Sequence, residues 1–279
     1  MPEMPEVETI RRYLDKKLIG KIIKNVDVLL SRQIQNVSTE QFIEKITGSE
    51  ITKVDRAGKY LIIRLNNKLN IIFHLRMTGR LVYSESGENT DKYARIVFEL
   101  AGGAKLIYGD TRTLGVIYLL PNEKDLKGIA SMGAEPLSAE FTLEYLKNIL
   151  KGRKSRIKTI LLNQKCISGI GNIYADEALF LAKINPFTLA RDIDENGVIR
   201  LFNAINKVIS DGIADGGTTF RDYQNGEGKT GHHQDNLFVY AREGKPCKIC
   251  QEKITKTFLG GRGTHFCTNC QPVKEKKLT

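Results

Sequence analysis

The chain opens Met1-Pro2-Glu3-Met4-Pro5-Glu6-Val7-Glu8. Were Met1 trimmed, a proline amine would stand at the terminus beside a carboxylate. An α-amino group has a pKa of roughly 8, so a useful fraction is neutral near pH 7, where a lysine is almost fully protonated. A neutral amine can attack an electrophilic carbon and form an imine. The neighbouring carboxylate can carry protons for that chemistry. The same residues also read as a plain helix start, with Pro5 at the first helical position and Glu6 and Glu8 complementing the helix dipole. Local sequence leaves both readings open, and the chemical one requires removal of Met1.

The cysteines point to a metal. Cys247-Lys248-Ile249-Cys250 and Cys267-Thr268-Asn269-Cys270 are separated by sixteen residues, a C-x2-C-x16-C-x2-C pattern. That spacing suits zinc, each pair placing two thiolates on one knuckle. A closed four-sulfur site has no open position, so the ion would be structural. Two disulfides are the competing reading, disfavoured in a reducing compartment. Cys166 is left over and reads as a plain buried or half-buried residue. One structural zinc and no organic cofactor are expected.

The elements that must carry these groups fall into a β-rich half and a helical half. Val7, Ile10 and Leu14 recur at helical spacing, predicting a helix over Pro5–Lys17. Runs at Lys21–Leu30, Tyr60–Leu65, Asn70–Arg76, Arg95–Leu100, Lys105–Tyr108 and Val116–Leu120 read as strands. Asn66-Asn67 and Gly102-Gly103 suit tight hairpins between neighbouring runs. After a Gly- and Pro-containing break the period becomes helical. Leu143, Leu146 and Leu150 mark one helix, and Ile157, Ile160 and Leu161 a second. Tyr174, Ala178 and Leu181 mark a third, and Val198, Leu201, Ile205 and Val208 a fourth. The expected class is α+β multidomain. Its domains are an N-terminal β-sandwich with a leading helix at 1–120, a linker at 121–136, a helical domain at 137–232 and a zinc finger at 238–272.

At 279 residues the chain is long enough for two or more cores. Forty-three Lys and Arg against 32 Asp and Glu give a formal charge of +11. Such an excess favours a polyanion, nucleic acid first and an anionic membrane surface second. No apolar run is long enough for a bilayer and no signal peptide precedes the charged start, so a soluble intracellular protein is expected. Lys147, Lys151, Arg153, Lys154, Arg156, Lys158 and Lys165 form a run without an acid. Such a run is usually a solvated face. Here it precedes the glycine turn Gly169-Ile170-Gly171, which leads into a helix whose N-terminal N–H groups could meet phosphate.

Seven landmarks in register are similar to those of the formamidopyrimidine-DNA glycosylase family of bacterial base-excision repair enzymes. They are Pro2-Glu3-Met4-Pro5-Glu6-Val7-Glu8-Thr9, Arg56-Ala57-Gly58-Lys59-Tyr60, His74-Leu75-Arg76-Met77 and Asp110-Thr111-Arg112-Thr113-Leu114-Gly115. Gly169-Ile170-Gly171-Asn172-Ile173-Tyr174 resembles the family's helix-two-turn-helix signature. Gly216-Gly217-Thr218-Thr219 resembles the opening of its lesion-recognition loop. Gly260-Gly261-Arg262-Gly263-Thr264-His265-Phe266-Cys267 completes the pattern.

The resemblance implies roles. Pro2 would attack C1′ of the damaged nucleotide, and Glu3 would carry protons to and from the sugar. Lys59 would contact nucleic acid and assist β-elimination, and Arg262 would hold phosphates and assist δ-elimination. Met77, Arg112 and Leu114 would fill the gap left by the everted nucleotide. His74, Tyr93, Lys154, Lys158 and Asn172 fall where the family touches DNA, although His74 also reads as a core histidine. Thr218, Thr219, Phe220, Arg221 and Tyr223 belong to the lesion loop, and Asp110 reads as an anchor for the Arg112 loop. Leu114 replaces a usual phenylalanine, and Tyr93 and Arg95 a usual histidine pair. Thr78 stands at a position that varies in the family, so it inherits no role.

The resemblance implies a bifunctional glycosylase and abasic-site lyase for oxidised purines, 8-oxoguanine and formamidopyrimidines, acting as a cytoplasmic, nucleoid-associated monomer on damaged duplex DNA. No membrane partner is expected. The rivals are an endonuclease VIII-type enzyme for oxidised pyrimidines, a non-catalytic zinc-containing DNA-binding protein and a zinc-ribbon RNA-binding protein. Val7 after Pro5-Glu6 and the long Gly216–Gly231 loop favour the purine enzyme.

Overall fold

The protein is described from a computed structural model at residues 2–89, 91–220 and 223–273. It divides into two compact units. The first is the chain up to Ser131 together with Gly212–Gln234, and the second is Met132–Asp211 with the chain from Asp235 onward.

In the first unit, helix α1 (Met4–Leu18) precedes strand β1 (Ile23–Val28), helix α2 (Thr39–Ile46) and strands β2 (Ile51–Ala57), β3 (Tyr60–Leu65) and β4 (Asn70–His74). Strands β5 (Gly79–Ser84), β6 (Ala94–Leu100), β7 (Lys105–Asp110) and β8 (Val116–Leu120) follow, then a single helical turn, α3 (Lys127–Ala130). Two four-stranded sheets result, ordered β1-β6-β7-β5 and β2-β3-β4-β8, and every pairing within them is antiparallel. One apolar core unites them and takes in Val7, Ile10 and Leu14 of α1. Alternation along the strands puts Leu61, Ile63, Phe73 and Leu81 inward, as a sandwich requires. The N-terminal helix is thereby pinned by its apolar stripe, which holds the start of the chain still.

Two strands escaped the sequence reading. The β2 pairing shifts register between Ile51 and Lys53, which breaks the period-two signal. Strand β5 begins at Gly79, where a Cβ would lie 2.5 Å from Leu75 O, so a residue that weakens strand propensity is required sterically. The Gly102-Gly103 hairpin is present, both glycines having positive φ. Residues 121–136, expected as linker, contain α3. Gly212–Gln234, assigned from sequence largely to the helical domain, clusters with the β-sandwich.

The second unit holds helices α4 (Leu143–Leu150), α5 (Ile157–Leu162) and α6 (Asn172–Leu181), and most of α7 (Glu195–Ala214). It ends in an antiparallel hairpin, β9 (Thr255–Leu259) and β10 (Arg262–Phe266). From Ile173 to Phe180, α6 is buried on every side. An acid in such a helix needs a partner. Both acids there have one. Glu177 accepts backbone N–H bonds from Phe238, Val239 and Tyr240 at 2.8–2.9 Å, although burial still pushes its carboxyl up. Asp176 is described below.

Candidate functional site

In the first unit the start of α1 bears out the helix-start reading of its sequence. A proline occupies the first turn with Glu6 beside it, and Glu3 is the N-cap. Pro2 and Glu3 are buried. Glu6 fixes the terminus twice over: its Oε2 accepts the Glu3 N–H at 2.8 Å, and its Oε1 accepts the Thr218 N–H at 2.7 Å. Glu8 accepts from Arg11, Arg12 and Arg56. Burial alone would raise its carboxyl, but those guanidinium bonds and the Arg56 charge win and hold it at about 2. Lys59 sits, mostly buried, in the β2–β3 turn behind Gly58, whose φ of +55° favours glycine. Arg56 braces that turn by donating to Gly58 O at 2.8 Å.

His74 ends β4. Burial, then the charges of Arg76 and Lys59, lower its pKa to about 4. It is therefore a neutral imidazole at physiological pH. Its Nδ1 accepts the Arg76 N–H at 3.2 Å, which leaves Nε2 as the donor. The sequence reading balanced a core histidine against a phosphate contact. This ring is half-buried and keeps a donor, so the two are compatible.

Met77, Arg112 and Leu114 stand out on the surface. Met77 is 44% and Leu114 48% exposed, and the Arg112 guanidinium lies 3.9 Å from the Met77 sulfur. Two tight backbone turns present them, with φ of +55° at both Arg76 and Thr113. Fully buried Asp110 holds the second turn in place. Its Oδ1 accepts the Arg112 N–H at 3.2 Å and the Thr78 hydroxyl; its Oδ2 accepts the Gly115 N–H at 2.8 Å and the Gln33 amide at 3.0 Å. Asp110 is an anchor, and Thr78 is tied to it rather than exposed for contact. Tyr93 is half-buried. Its N–H donates to Asp91 at 2.8 Å, and Asp91 pairs in turn with Arg80.

The lesion-loop residues divide. Phe220 is 49% exposed, whereas Thr218 and Tyr223 are buried. The Tyr223 hydroxyl donates to Gly216 O at 3.1 Å and Glu6 O at 3.3 Å, so this tyrosine pins the loop. Thr219 closes the loop base, accepting the Gly231 N–H at 2.9 Å. Arg221 and Met1 lie outside the described residues. A cavity of about 660 Å3 opens between Arg80, Tyr83, Tyr93 and the loop residues Gln224 and Gly228.

In the second unit the four cysteines converge, all sulfurs lying within 4.8 Å of one another. Cys247 and Cys270 Sγ are 3.9 Å apart, and Cys250 and Cys267 Sγ are 3.4 Å apart. A tetrahedral zinc with Zn–S bonds of about 2.3 Å needs sulfurs about 3.8 Å apart, so the set fits the ion. Burial and the neighbouring sulfurs push the Cys270 thiol up, and burial does the same for Cys267. Thiolates this close require a cation. The knuckle N–H groups of Ile249 and Cys270 point at Cys247 and Cys267 sulfur, both at 3.4 Å.

Arg262 is exposed at the tip of the β9–β10 hairpin, after Gly260 and Gly261 in positive φ. Lys154 is exposed. Asn172 is half-buried at the start of α6 and donates to Gly263 O at 2.9 Å. Lys158 corrects the reading of the basic run. It is fully buried, donates to Gly263 O at 2.8 Å and Thr264 Oγ1 at 2.9 Å, and pairs with Asp176 Oδ1 at 2.6 Å. Its three protons are thus directed into the protein. Arg153 reaches Cys166 sulfur, and Arg156 lies over the Phe187 ring. Charge counting could not separate buried Lys158 from exposed neighbours such as Arg153 and Arg156.

Three family models match in order. They are the formamidopyrimidine-DNA glycosylase N-terminal domain over residues 1–117, the formamidopyrimidine-DNA glycosylase H2TH domain over 132–224, and the zinc finger found in FPG and IleRS over 244–273. The chain is 46% identical over 276 residues to the formamidopyrimidine-DNA glycosylase of Pelotomaculum thermopropionicum, covering 98% of this chain and 100% of that one. The chain belongs to the formamidopyrimidine-DNA glycosylase family. Among solved structures, the Lactococcus lactis family member in complex with a Fapy-dG containing DNA superposes with a TM-score of 0.89 at 33% identity, covering 97% of this chain and 100% of that chain. The same organism's Fpg bound to an abasic site containing DNA gives 0.90 at 34%, with 97% and 100% covered. Within this glycosylase family frame, Glu6 and Asp176 are what the sequence reading missed. Glu6 has a local signal, an acid three residues after the N-cap. Asp176 has only its place in a helix buried on all sides.

Proposed function

We propose that this protein is a DNA glycosylase for oxidised purines, 8-oxoguanine and formamidopyrimidines, with abasic-site lyase activity. The observation that carries the reading is the start of α1: Pro2 held directly before the N-cap, with Glu3 and Glu6 buried beside it. Once Met1 is removed, the Pro2 nitrogen attacks C1′ and the glycosidic bond breaks, its electrons leaving with the base. Loss of the ring-oxygen bond gives the C1′ imine, and Glu3 moves protons at the sugar. The imine acidifies the C2′ proton. Its removal expels the 3′ phosphate, and a second elimination expels the 5′ phosphate. Lys59 and Arg262 serve these steps by stabilising the departing phosphates.

Recognition divides between shape and charge. Met77, Arg112 and Leu114 are the wedge that replaces the everted nucleotide, Leu114 acting through bulk rather than ring stacking. His74, Tyr93, Lys154 and Asn172 meet phosphates, which positions the duplex without reading bases. Thr219 and Phe220 face the lesion, while Thr218 and Tyr223 hold the loop that carries them. Zinc, bound by Cys247, Cys250, Cys267 and Cys270, is structural and takes no part in the chemistry. Among the described residues no helix is long and apolar enough to cross a membrane, and we place the enzyme as a monomer in the cytoplasm, at the nucleoid. Product analysis on end-labelled duplexes carrying 8-oxoguanine tests the proposal. Base loss with β- and β,δ-elimination products is expected, and Pro2→Gly should remove base excision. Preference for an oxidised pyrimidine, or undiminished excision by Pro2→Gly, contradicts it.

A further inference from the structure

The strand β10 is held at two places. At one end Cys267 joins the four-sulfur cluster. Arg262 lies five residues away, about 16 Å along an extended strand at about 3.3 Å per residue. The hairpin's sheet has only two strands, and Gly260-Gly261 forms its turn. A two-stranded ribbon is marginal by itself, so the metal alone leaves the arginine end loose.

The arginine end is instead fixed by side chains of α5 and α6. Gly263 O accepts from both Lys158 Nζ and Asn172 Nδ2. Thr264 Oγ1 accepts from Lys158 and donates to Arg262 O at 3.1 Å. Asp176 Oδ2 accepts the His265 N–H at 2.9 Å and faces His265 Nδ1 at 3.2 Å, while its Oδ1 meets the Lys158 ammonium. Lys158, Asp176 and Thr264 have no exposed surface. A lysine buried this way remains charged only if its counter-ion is present. Asp176 therefore sustains Lys158, which in turn holds the peptide next to Arg262.

We propose that Asp176, acting with Lys158, is a positioning residue that aims Arg262 at its phosphate independently of the zinc site. Asp176 touches no DNA in this account; its effect passes through the Gly263–His265 peptide. The inference rests on the role of Arg262 in δ-elimination given under the proposed function.

The test uses full-length, zinc-loaded protein and a duplex with a preformed abasic site. Wild type, Arg262→Ala, Asp176→Asn and the double variant Lys158→Met/Asp176→Leu are compared. Each is scored for zinc content, borohydride-trapped adduct and the ratio of β,δ to β product. For Asp176→Asn we expect one zinc per chain, trapping close to wild type and a product ratio reduced about tenfold or more, as for a catalytic group displaced by about an ångström. The double variant, which buries no unpaired charge, should retain zinc and fold yet show the same loss. Thr264 Oγ1 and Gly263 O lose the Lys158 donor, leaving Gly263 O with Asn172 alone, and the His265 N–H loses its acceptor. A normal ratio in either zinc-loaded variant overturns the proposal. So does loss of zinc and trapping together in both, which would make the pair a general folding element. If Arg262→Ala itself leaves the ratio unchanged, the reading of Arg262 fails instead.

Discussion

Two exposed arginines are each braced by a buried aspartate, and the two braces are built differently. Arg112 stands on a loop whose anchor, Asp110, takes neutral donors: two hydroxyls, two backbone N–H groups and an amide. Arg262 stands on a hairpin whose brace, Asp176, takes a buried ammonium and a histidine. The first anchor, Asp110, takes partners two and five positions ahead, but also Thr78 and Gln33, 32 and 77 residues away. The second joins parts of the chain 89 residues apart. A neutral brace shared among several donors does not depend on any one of them. A charged brace stands or falls with its counter-ion. The zinc hairpin is therefore the more fragile of the two.

Zinc removal should give the largest effect. Structural zinc sites contribute about 10–16 kcal/mol to the folding of small domains. Chelation or Cys250→Ser should release the β9–β10 hairpin and weaken DNA binding. Hydrogen exchange across β2–β8 should stay unchanged, since that core lies wholly in the first unit. Loss of protection in β2–β8 would show the two regions to be less separate than the comparison holds.

The braces come next. Asp176→Asn leaves a buried ammonium without its counter-ion and should cost the second unit about 3–5 kcal/mol. Lys158→Met/Asp176→Leu should recover part of that stability, as buried pairs replaced by apolar residues often do. Asp110→Ala should destabilise the first unit through stranded donors, each costing about 1–3 kcal/mol. No change at a single partner should restore it. Denaturation midpoints of the four proteins check this, and rescue of Asp110→Ala by one substitution would erase the distinction.

Met77→Ala and Leu114→Ala sharpen the comparison from the functional side. Both side chains are largely exposed, so stability should change by less than about 0.5 kcal/mol. Excision from duplex should fall severalfold, while cleavage of an abasic site in single-stranded DNA should not. Equal losses on both substrates would deny the wedge.

The smallest effect separates two lysines. Lys154→Ala should reduce the log–log salt slope of DNA binding by about one unit and leave lesion choice intact. Lys158→Ala should instead lower thermal stability, because that ammonium is buried. A Lys158→Ala protein of full stability with a reduced slope would return Lys158 to the phosphate surface.

The legible parts of this molecule are the local ones. The cysteine spacing anticipates a sulfur cluster because each knuckle is four residues long. Asp110 could be recognised as an anchor because its partners at Arg112 and Gly115 are near in sequence. The leading helix was visible in its apolar stripe. Lys158 was misread because a run of cations does not show which face turns inward, and only contact with Asp176 and Gly263 settles that. Strand β2 was missed through a register shift, and β5 through a glycine demanded by a neighbouring carbonyl. The tie from Glu6 to Thr218 spans 212 residues, beyond any local pattern.

The central claim is that the Pro2 amine is the nucleophile. Borohydride reduction during turnover of an 8-oxoguanine duplex, followed by intact-mass and peptide mapping, tests it directly. The account predicts a protein starting at Pro2 with the sugar remnant attached to the N-terminal peptide. An adduct mapped to Lys59, or full activity from protein that retains Met1, would contradict it.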